Sequence, residues 1–204
     1  MPNEWLPERD YHRDLSTKRL ISLAEMFRTV WLRVSELHEP SAGDDMWSMS
    51  CRAFKRCAFQ LNQPTWPWLH VIEQMKMQVV VCIGLIPVRF YHGSSEDVPT
   101  RYAYAPEAEV DARQLSIEFD EQIPEGLLLR IATTTDSKGV PQSVSLVAYD
   151  IESREIVNTF VIPEAQSGAM TVEQFPTTKP TPGIIQPKPS VRPKTGRVKD
   201  RDEQ

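Results

Sequence analysis

Glycine and cysteine are scarce in this chain, and each shortage excludes a class of protein. Only eight glycines occur among 204 residues, and they are scattered, so no phosphate-binding loop or dinucleotide-binding fingerprint is present. The three cysteines, Cys51, Cys57 and Cys82, are odd in number and include no Cys-x-x-Cys pair, which argues against a disulfide framework. We expect reduced, buried thiols and a reducing compartment.

Long apolar runs and clustered metal ligands are also missing. The longest apolar run, 79–87, is interrupted by Gly84 and is too short to span a bilayer. The first residues do not read as a signal peptide, because no basic stretch precedes an apolar one. We therefore expect a soluble, cytoplasmic protein with no membrane partner, no cofactor and no metal site. The four histidines stand in no ligand spacing: His12, His38, His70 and His92.

The last forty residues differ in composition from the rest of the chain. Six of the 17 prolines lie between Pro176 and Pro193, among lysines and arginines and few large apolar residues. Such a segment cannot bury enough apolar surface to offset the entropy of ordering. We expect residues 164–204 to form a disordered, Pro- and Lys-rich tail. Seven basic and three acidic residues give 176–204 a charge of +4, which leaves −9 on residues 1–175 of the net −5.

The N-terminal part, residues 1–62, predicts two amphipathic helices. Apolar residues recur at three- and four-residue spacing over 14–38, where Asp14 or Ser16 can cap the start. A second helix is predicted over 44–61, capped by Asp44 or Asp45. Its expected core face consists of Trp47, Cys51, Phe54, Ala58 and Leu61.

Another face of the second helix combines basic and aromatic residues. Arg52, Lys55, Arg56 and Phe59 stand at i, i+3, i+4 and i+7, so they share one side. Such a stripe can bind phosphates. It is also typical of an ordinary solvated face, which is the simpler interpretation.

Residues 63–163 predict a mainly β part. Strands are expected over 68–73, 77–83 and 86–91, where β-branched residues are frequent, and a helix over 68–76 is the alternative for the first of them. A short helix is expected over 106–112. Period-two patterns then predict strands over 115–119, 127–132, 144–148 and 156–162.

These elements predict an α+β fold. Two N-terminal helices would pack on a mainly antiparallel sheet of six or seven strands, followed by the tail. The helices could instead form a separate small unit.

Two aromatic segments supply further candidate binding residues. Arg89 and Tyr91 alternate along one strand with apolar neighbours, so they share a face, and Arg101 and Tyr102 follow in the next loop. An exposed Arg/Tyr face suits base stacking or a protein hot spot. The alternative is that Phe90 and one or two of the tyrosines are core and the arginines point outward. Trp66 and Trp68 either close the core beneath the helices or form a contact patch.

Catalytic patterns are weak throughout. His92 stands near Ser94 and Ser95, but on one turn, which does not hold a catalytic geometry. The best enzymatic interpretation is a metal-dependent nuclease with acids at strand ends and a lysine in a loop, although acids at strand ends are usually solvated. Its residues would be Glu118, Asp120, Asp150, Glu152 and Lys138.

The sequence therefore favours a non-catalytic protein-interaction or regulatory module, an accessory or adaptor protein with a protein partner and a flexible basic tail. The first alternative is a nucleic-acid-binding protein that uses the basic helix face and the Arg/Tyr-rich strand. The second is a small metal-dependent hydrolase or nuclease. Exposed edge strands could also pair with a second copy and give a homo-oligomer.

Overall fold

Four α-helices and six strands are formed by the residues that this computed structural model describes, 5–38, 45–75, 78–118 and 126–165. Apart from residues 164 and 165, the predicted tail lies outside these ranges. The helices are α1 (Pro7–Asp10), α2 (Thr17–Glu36), α3 (Met46–Leu61) and α4 (Glu107–Glu118). The strands are β1 (Leu69–Met75), β2 (Gln78–Ile83), β3 (Ile86–His92), β4 (Leu127–Thr135), β5 (Pro141–Asp150) and β6 (Glu155–Val161).

The six strands form one sheet in the order β1 to β6. Neighbouring strands are antiparallel except β3 and β4, which run parallel. Parallel neighbours require a crossover connection, and here it contains a 3-10 helix, Thr100–Tyr102, and α4. The predicted α+β fold with a mainly antiparallel sheet is confirmed.

The two long N-terminal helices begin at predicted cap residues. Ser16 Oγ accepts a hydrogen bond from the Arg19 amide at the start of α2, and Asp45 Oδ1 accepts one from the Ser48 amide at the start of α3. Each bond satisfies an amide that the first helical turn leaves without a partner. The buried stripe of α2 has the predicted spacing: Leu20, Leu23, Ala24, Phe27, Val30, Trp31 and Val34.

One face of the sheet carries the main hydrophobic core, and α2 and α3 cover it. Phe90 of β3 stacks on Phe54 of α3 with 4.7 Å between ring centroids, and it lies 5.0 Å from Phe27 of α2. Burial of one such side chain stabilises the fold by about 1.5–3 kcal/mol. Because residues of both helices and of the strands belong to the same cluster, the helices do not form a core of their own.

The β3–β4 connection covers the opposite face of the sheet. Tyr102 of the 3-10 helix is buried there against Tyr91, with ring centroids 5.3 Å apart. Leu128 and Val147 complete this smaller apolar cluster from β4 and β5. Both faces of the central strands are therefore buried.

A half-buried carboxylate attaches the N-terminal segment to the β2–β3 turn. Asp14 accepts a hydrogen bond from the Leu85 amide at 3.0 Å and forms an ion pair with Arg19. Burial opposes ionisation of Asp14, but the hydrogen bonds from Arg19 and Leu85 outweigh it and lower its pKa. Gly84 adopts φ +62, and a Cβ at that position would overlap the Asp14 carboxylate.

Three sequence predictions are corrected. The strand expected over 115–119 does not form, since residues 115–118 continue α4, and Phe119 lies outside the described residues. The alternative helix over 68–76 is not adopted, because β1 occupies that stretch. Trp47 is not core, because 73% of its surface is exposed, and Met49 faces the core instead.

Candidate functional site

A pocket of about 240 Å³ lies where α2 and α3 meet the ends of β3 and β4. Its aromatic walls come from α2, α3 and β3: Trp31, Trp47, Phe54, Phe90 and Tyr91. Its polar lining includes side chains with hydroxyl, thiol, imidazole and guanidinium groups: Ser50, Cys51, His92, Arg101 and Thr133. None of the described residues that line it is acidic.

His92, at the end of β3, joins the elements around this pocket. Its ring lies 4.2 Å from the Trp31 ring, at an interplanar angle of 34°. Its Nδ1 is 3.1 Å from Ser50 Oγ, and its Nε2 is 2.9 Å from Thr135 Oγ1. Ser50 donates its hydroxyl proton to the Met46 carbonyl, so its oxygen is left to accept the hydrogen bond from His92. We therefore assign the imidazole proton to Nδ1. Nε2 is then an acceptor, and Thr135 donates its hydroxyl proton to it.

The environment of His92 favours the neutral ring. Burial lowers its pKa, because removing the imidazolium from water is costly. Both ring nitrogens are already hydrogen-bonded to hydroxyl groups. His92 therefore holds α3 against the sheet rather than presenting a charge to the pocket.

Arg101 is the cationic residue that lines the pocket. It is exposed, and its guanidinium lies 5.0 Å from the centroid of the Tyr102 ring. No ion pair joins it to a carboxylate of the described residues. The sequence named Arg101, Tyr102 and Tyr91 as candidates, and the structure brings all three to or beside one wall of the pocket.

The Arg/Tyr face of β3 is buried, so neither interpretation of it holds in full: the face is not exposed, and Arg89 does not point outward although Tyr91 is core. The exposed fraction is 0% for Arg89 and 1% for Tyr91. Arg89 donates to the Tyr104 and Arg101 carbonyls at 3.0 and 3.1 Å, and its guanidinium lies over the Tyr102 ring at 4.7 Å. This arginine therefore holds the crossover connection on the sheet.

A second arginine, which sequence reasoning missed, lies beside the first. Arg130 of β4 is fully buried and donates to Glu109 Oε1 of α4 at 2.8 Å. It also donates to the Tyr102 and Tyr104 carbonyls at 2.7 and 3.0 Å. Burial lowers the pKa of Arg130, and Glu109 acts against that shift. The sequence feature that could have indicated a buried, paired arginine is its isolated position in an apolar strand, L-L-L-R-I.

The outer side of α3 carries the predicted basic–aromatic face, formed by Arg52, Lys55, Arg56 and Phe59. Lys55 and Arg56 are exposed, and Arg52 is half-buried. Phe59 exposes 63% of its surface although it is a large apolar residue. No carboxylate of the described residues pairs with Lys55 or Arg56.

Trp66 and Trp68 stack on each other before β1, with ring centroids 5.4 Å apart. Both are partly buried against the main core, and the Arg19 guanidinium lies 5.6 Å from the Trp68 ring. A shallow depression between Arg19, Trp68 and His70 lies on this side of the molecule. Both tryptophans thus pack against the main core, and Trp68 also forms one wall of this depression.

A catalytic arrangement is not formed by the serine that contacts His92 or by the two buried cysteines, Cys57 and Cys82. The serine that contacts His92 is Ser50, not Ser94 or Ser95, and its proton is donated to a backbone carbonyl. Burial raises the pKa of Cys57, and burial followed by the nearby Glu109 charge raises that of Cys82 to about 11. A thiol with a raised pKa remains protonated and is a poor nucleophile at neutral pH.

The acids proposed for a nuclease are not assembled in the described structure. Glu118 ends a helix rather than a strand, and Asp120 lies outside the described residues. Asp150 instead closes the β5–β6 turn, where it accepts hydrogen bonds from the Glu152 amide and the Ser153 hydroxyl. Within the described ranges, no group of three or more His, Cys, Asp or Glu residues could hold a metal ion.

Comparisons with known proteins identify no relative of this chain. The chain matches no protein-family model, no curated protein and no solved structure. In the part of the chain that the structure describes, no helix is both long and apolar enough to cross a membrane.

Proposed function

We propose that this protein is a non-catalytic interaction module, an accessory or adaptor protein that binds a protein partner through the basic–aromatic face of α3. The exposure of Phe59 between cationic neighbours on a rigid helix carries the proposal. An aromatic residue surrounded by basic side chains is typical of an interface anchor with a charged rim. The partner segment would supply carboxylates and an apolar side chain.

The basic tail adds a second, tethered contact in this proposal. Its seven lysines and arginines follow the folded part of the chain after β6. Two weak contacts joined by a flexible linker give a higher overall affinity than either alone when the linker spans both sites. An accessory protein of this type needs no catalytic group of its own.

Nucleic-acid binding is the weaker candidate. Burial of Arg89 and Tyr91 removes the surface on which bases were predicted to stack. The exposed cations that could contact phosphates are then those of α3 and Arg101. DNA carries a charge about every 1.7 Å along its axis, so the charge of −9 on residues 1–175 opposes it more than a short acidic peptide. A protein partner is therefore favoured.

The test uses the full chain and a triple variant, Lys55→Glu, Arg56→Glu and Phe59→Ala. Each protein is immobilised and exposed to native lysate with and without nuclease treatment, and a captured partner is identified, purified and titrated. We expect the triple variant to weaken binding by at least about tenfold, since truncation of an interface hot spot costs about 2 kcal/mol or more. The fold is checked by circular dichroism and thermal unfolding.

A matched control carries substitutions on exposed residues outside α3, Lys138→Glu and Val157→Ala. It should bind the partner as the wild type does. Equal binding by the triple variant and this control would exclude the α3 face. Loss of the captured material on nuclease treatment would instead support nucleic-acid binding, with strong salt dependence as its mark.

A further inference from the structure

The pocket beside His92 combines aromatic walls with one cation, and the proposed function does not use it. Trp47, at this pocket, exposes 73% of its surface, which is unusual for the largest apolar side chain. Arg101 lines the same pocket and has no carboxylate partner among the described residues. The pocket therefore offers a ligand the exposed apolar surface of Trp47 and the positive charge of Arg101.

We propose that this pocket binds a small, flat aromatic carboxylate, with its ring between the tryptophan and phenylalanine walls and its carboxylate against Arg101. The site is independent of the basic–aromatic face of α3. No covalent step is involved.

The volume of the pocket determines the size of the ring system. A cavity of about 150 Å³ accommodates a benzene ring in a protein interior. The present pocket, at about 240 Å³, has room for two fused rings. Trp31, Phe54 and Phe90 provide flat apolar surfaces, on which an aromatic ring is bound by offset or edge-to-face contacts.

The polar lining determines the charge of the ligand. His92 is neutral and both of its nitrogens are occupied, so it neither attracts an anion nor pairs with a cation. Because none of the described lining residues is acidic, Arg101 sets the sign of the charge in the pocket. A carboxylate pairs well with the planar guanidinium and forms charge-assisted hydrogen bonds with it.

The experiment compares three probes of one shape and different charge with the full-length protein. Indole-3-acetate is an anion, indole-3-acetamide is neutral and tryptamine is a cation. Each is titrated by calorimetry, and contact is checked by saturation-transfer NMR. We expect one binding site for indole-3-acetate. The amide should bind at least about threefold more weakly than the acid and the amine at least about tenfold more weakly, because only the acid forms the charge-assisted pair with Arg101.

Two variants test the two halves of the site. Trp47→Ala should weaken indole-3-acetate about tenfold, and Arg101→Gln should abolish the preference for the acid over the amide while the ring still binds. The control is Val157→Ala, which removes exposed apolar surface from β6 and does not line the pocket. If Trp47→Ala does not fold, Arg101→Gln decides the proposal through the acid-to-amide ratio alone.

A second readout uses the half-buried thiol of Cys51, which lines the pocket. Bound indole-3-acetate should slow its alkylation by iodoacetamide at least about threefold, as measured by mass spectrometry of the peptide, because the ligand occupies the space in front of it. Absence of saturable binding by all three probes, equal affinities for acid and amide, or an equal effect of Val157→Ala and Trp47→Ala would overturn the proposal.

Discussion

Arg89 and Arg130 lie directly opposite each other on the parallel strands β3 and β4, and both side chains are fully buried. The two guanidinium groups donate to the same backbone oxygen, that of Tyr104, at 3.0 Å each. Two like charges side by side in a core are costly unless they are hydrogen-bonded or paired. The crossover connection supplies the carbonyl groups and one carboxylate, Glu109, which is why it is held against this face of the sheet.

Glu109→Gln should therefore destabilise the protein strongly. The change removes the carboxylate that lies 2.8 Å from Arg130 and 3.8 Å from Arg113, and it leaves buried positive charge without compensation. Breaking a buried ion pair in this way costs about 3–5 kcal/mol. Urea unfolding measures the loss, and Glu107→Gln, an exposed acid of the same helix, serves as the control. A loss for Glu109→Gln no larger than for the control would mean that the carbonyl groups alone stabilise the arginines.

Gly84→Ala should destabilise the protein by about 2 kcal/mol or more. A non-glycine residue at φ +62 costs about 1–2 kcal/mol, and the added methyl group would overlap the Asp14 carboxylate. Gly126→Ala is the matched control, because its φ is +86 but its Cβ would meet Asp150 at an ordinary 3.6 Å. The difference between the two losses, measured by chemical denaturation, isolates the overlap. Equal losses would show that backbone conformation alone matters at residue 84.

The stability of the protein should fall as the pH is lowered below about 6.5, with a contribution from His92. Its folded-state pKa is lower than the unfolded value near 6.5, so the unfolded chain takes up a proton first. The contribution of His92 is fully present above the unfolded pKa and is lost as the pH falls toward the folded pKa, by at most about 1.4 kcal/mol per pH unit. Free energies of unfolding from pH 8 to pH 5 measure it.

His92→Gln separates this effect from the other titrating groups, which the two proteins share. The variant should show a smaller decrease in stability between pH 7 and pH 5 than the wild type, even if it is less stable at pH 7. Parallel pH profiles would show that His92 is not the group responsible.

Two residues of α3 that stand close in sequence should differ sharply in their contribution to stability. Met49 is fully buried, so Met49→Ala should cost about 2–5 kcal/mol, whereas Trp47→Ala on the exposed side should cost about 0.5 kcal/mol or less. Thermal and urea unfolding of the two variants give the comparison. A large loss for Trp47→Ala would place this tryptophan in the core, as the sequence pattern had suggested.

Local patterns predicted most of the fold because they reflect burial on one side of an element. The stripe of α2, the cap residue Asp45 and the β-branched run of β2 each specify their element through neighbouring residues alone. The short alternation over 115–119 misled for the same reason. It is compatible with a strand, but the parallel pairing of β3 and β4 requires a crossover, and α4 extends through residue 118 within it.

The candidate site could be predicted only in part. The basic–aromatic face of α3 follows from spacing within one helix, and Lys55, Arg56 and Phe59 are exposed as a solvated face requires. The pocket at His92 combines residues of α2, α3, β3, β4 and the 3-10 helix, separated by up to about a hundred positions. A pattern within a few neighbouring residues cannot predict that such distant segments meet at one pocket.

The sequence by itself determined the α+β class, the two long helices and the positions of the six strands, because hydrophobic period and cap chemistry act over a few residues. Only the tertiary structure decided which polar side chains are buried. Arg89 and Lys55 are both cations in amphipathic elements, yet one is enclosed by carbonyl groups of a distant connection and the other faces water. That difference depends on which segment covers each face, and packing between distant parts of the chain sets it.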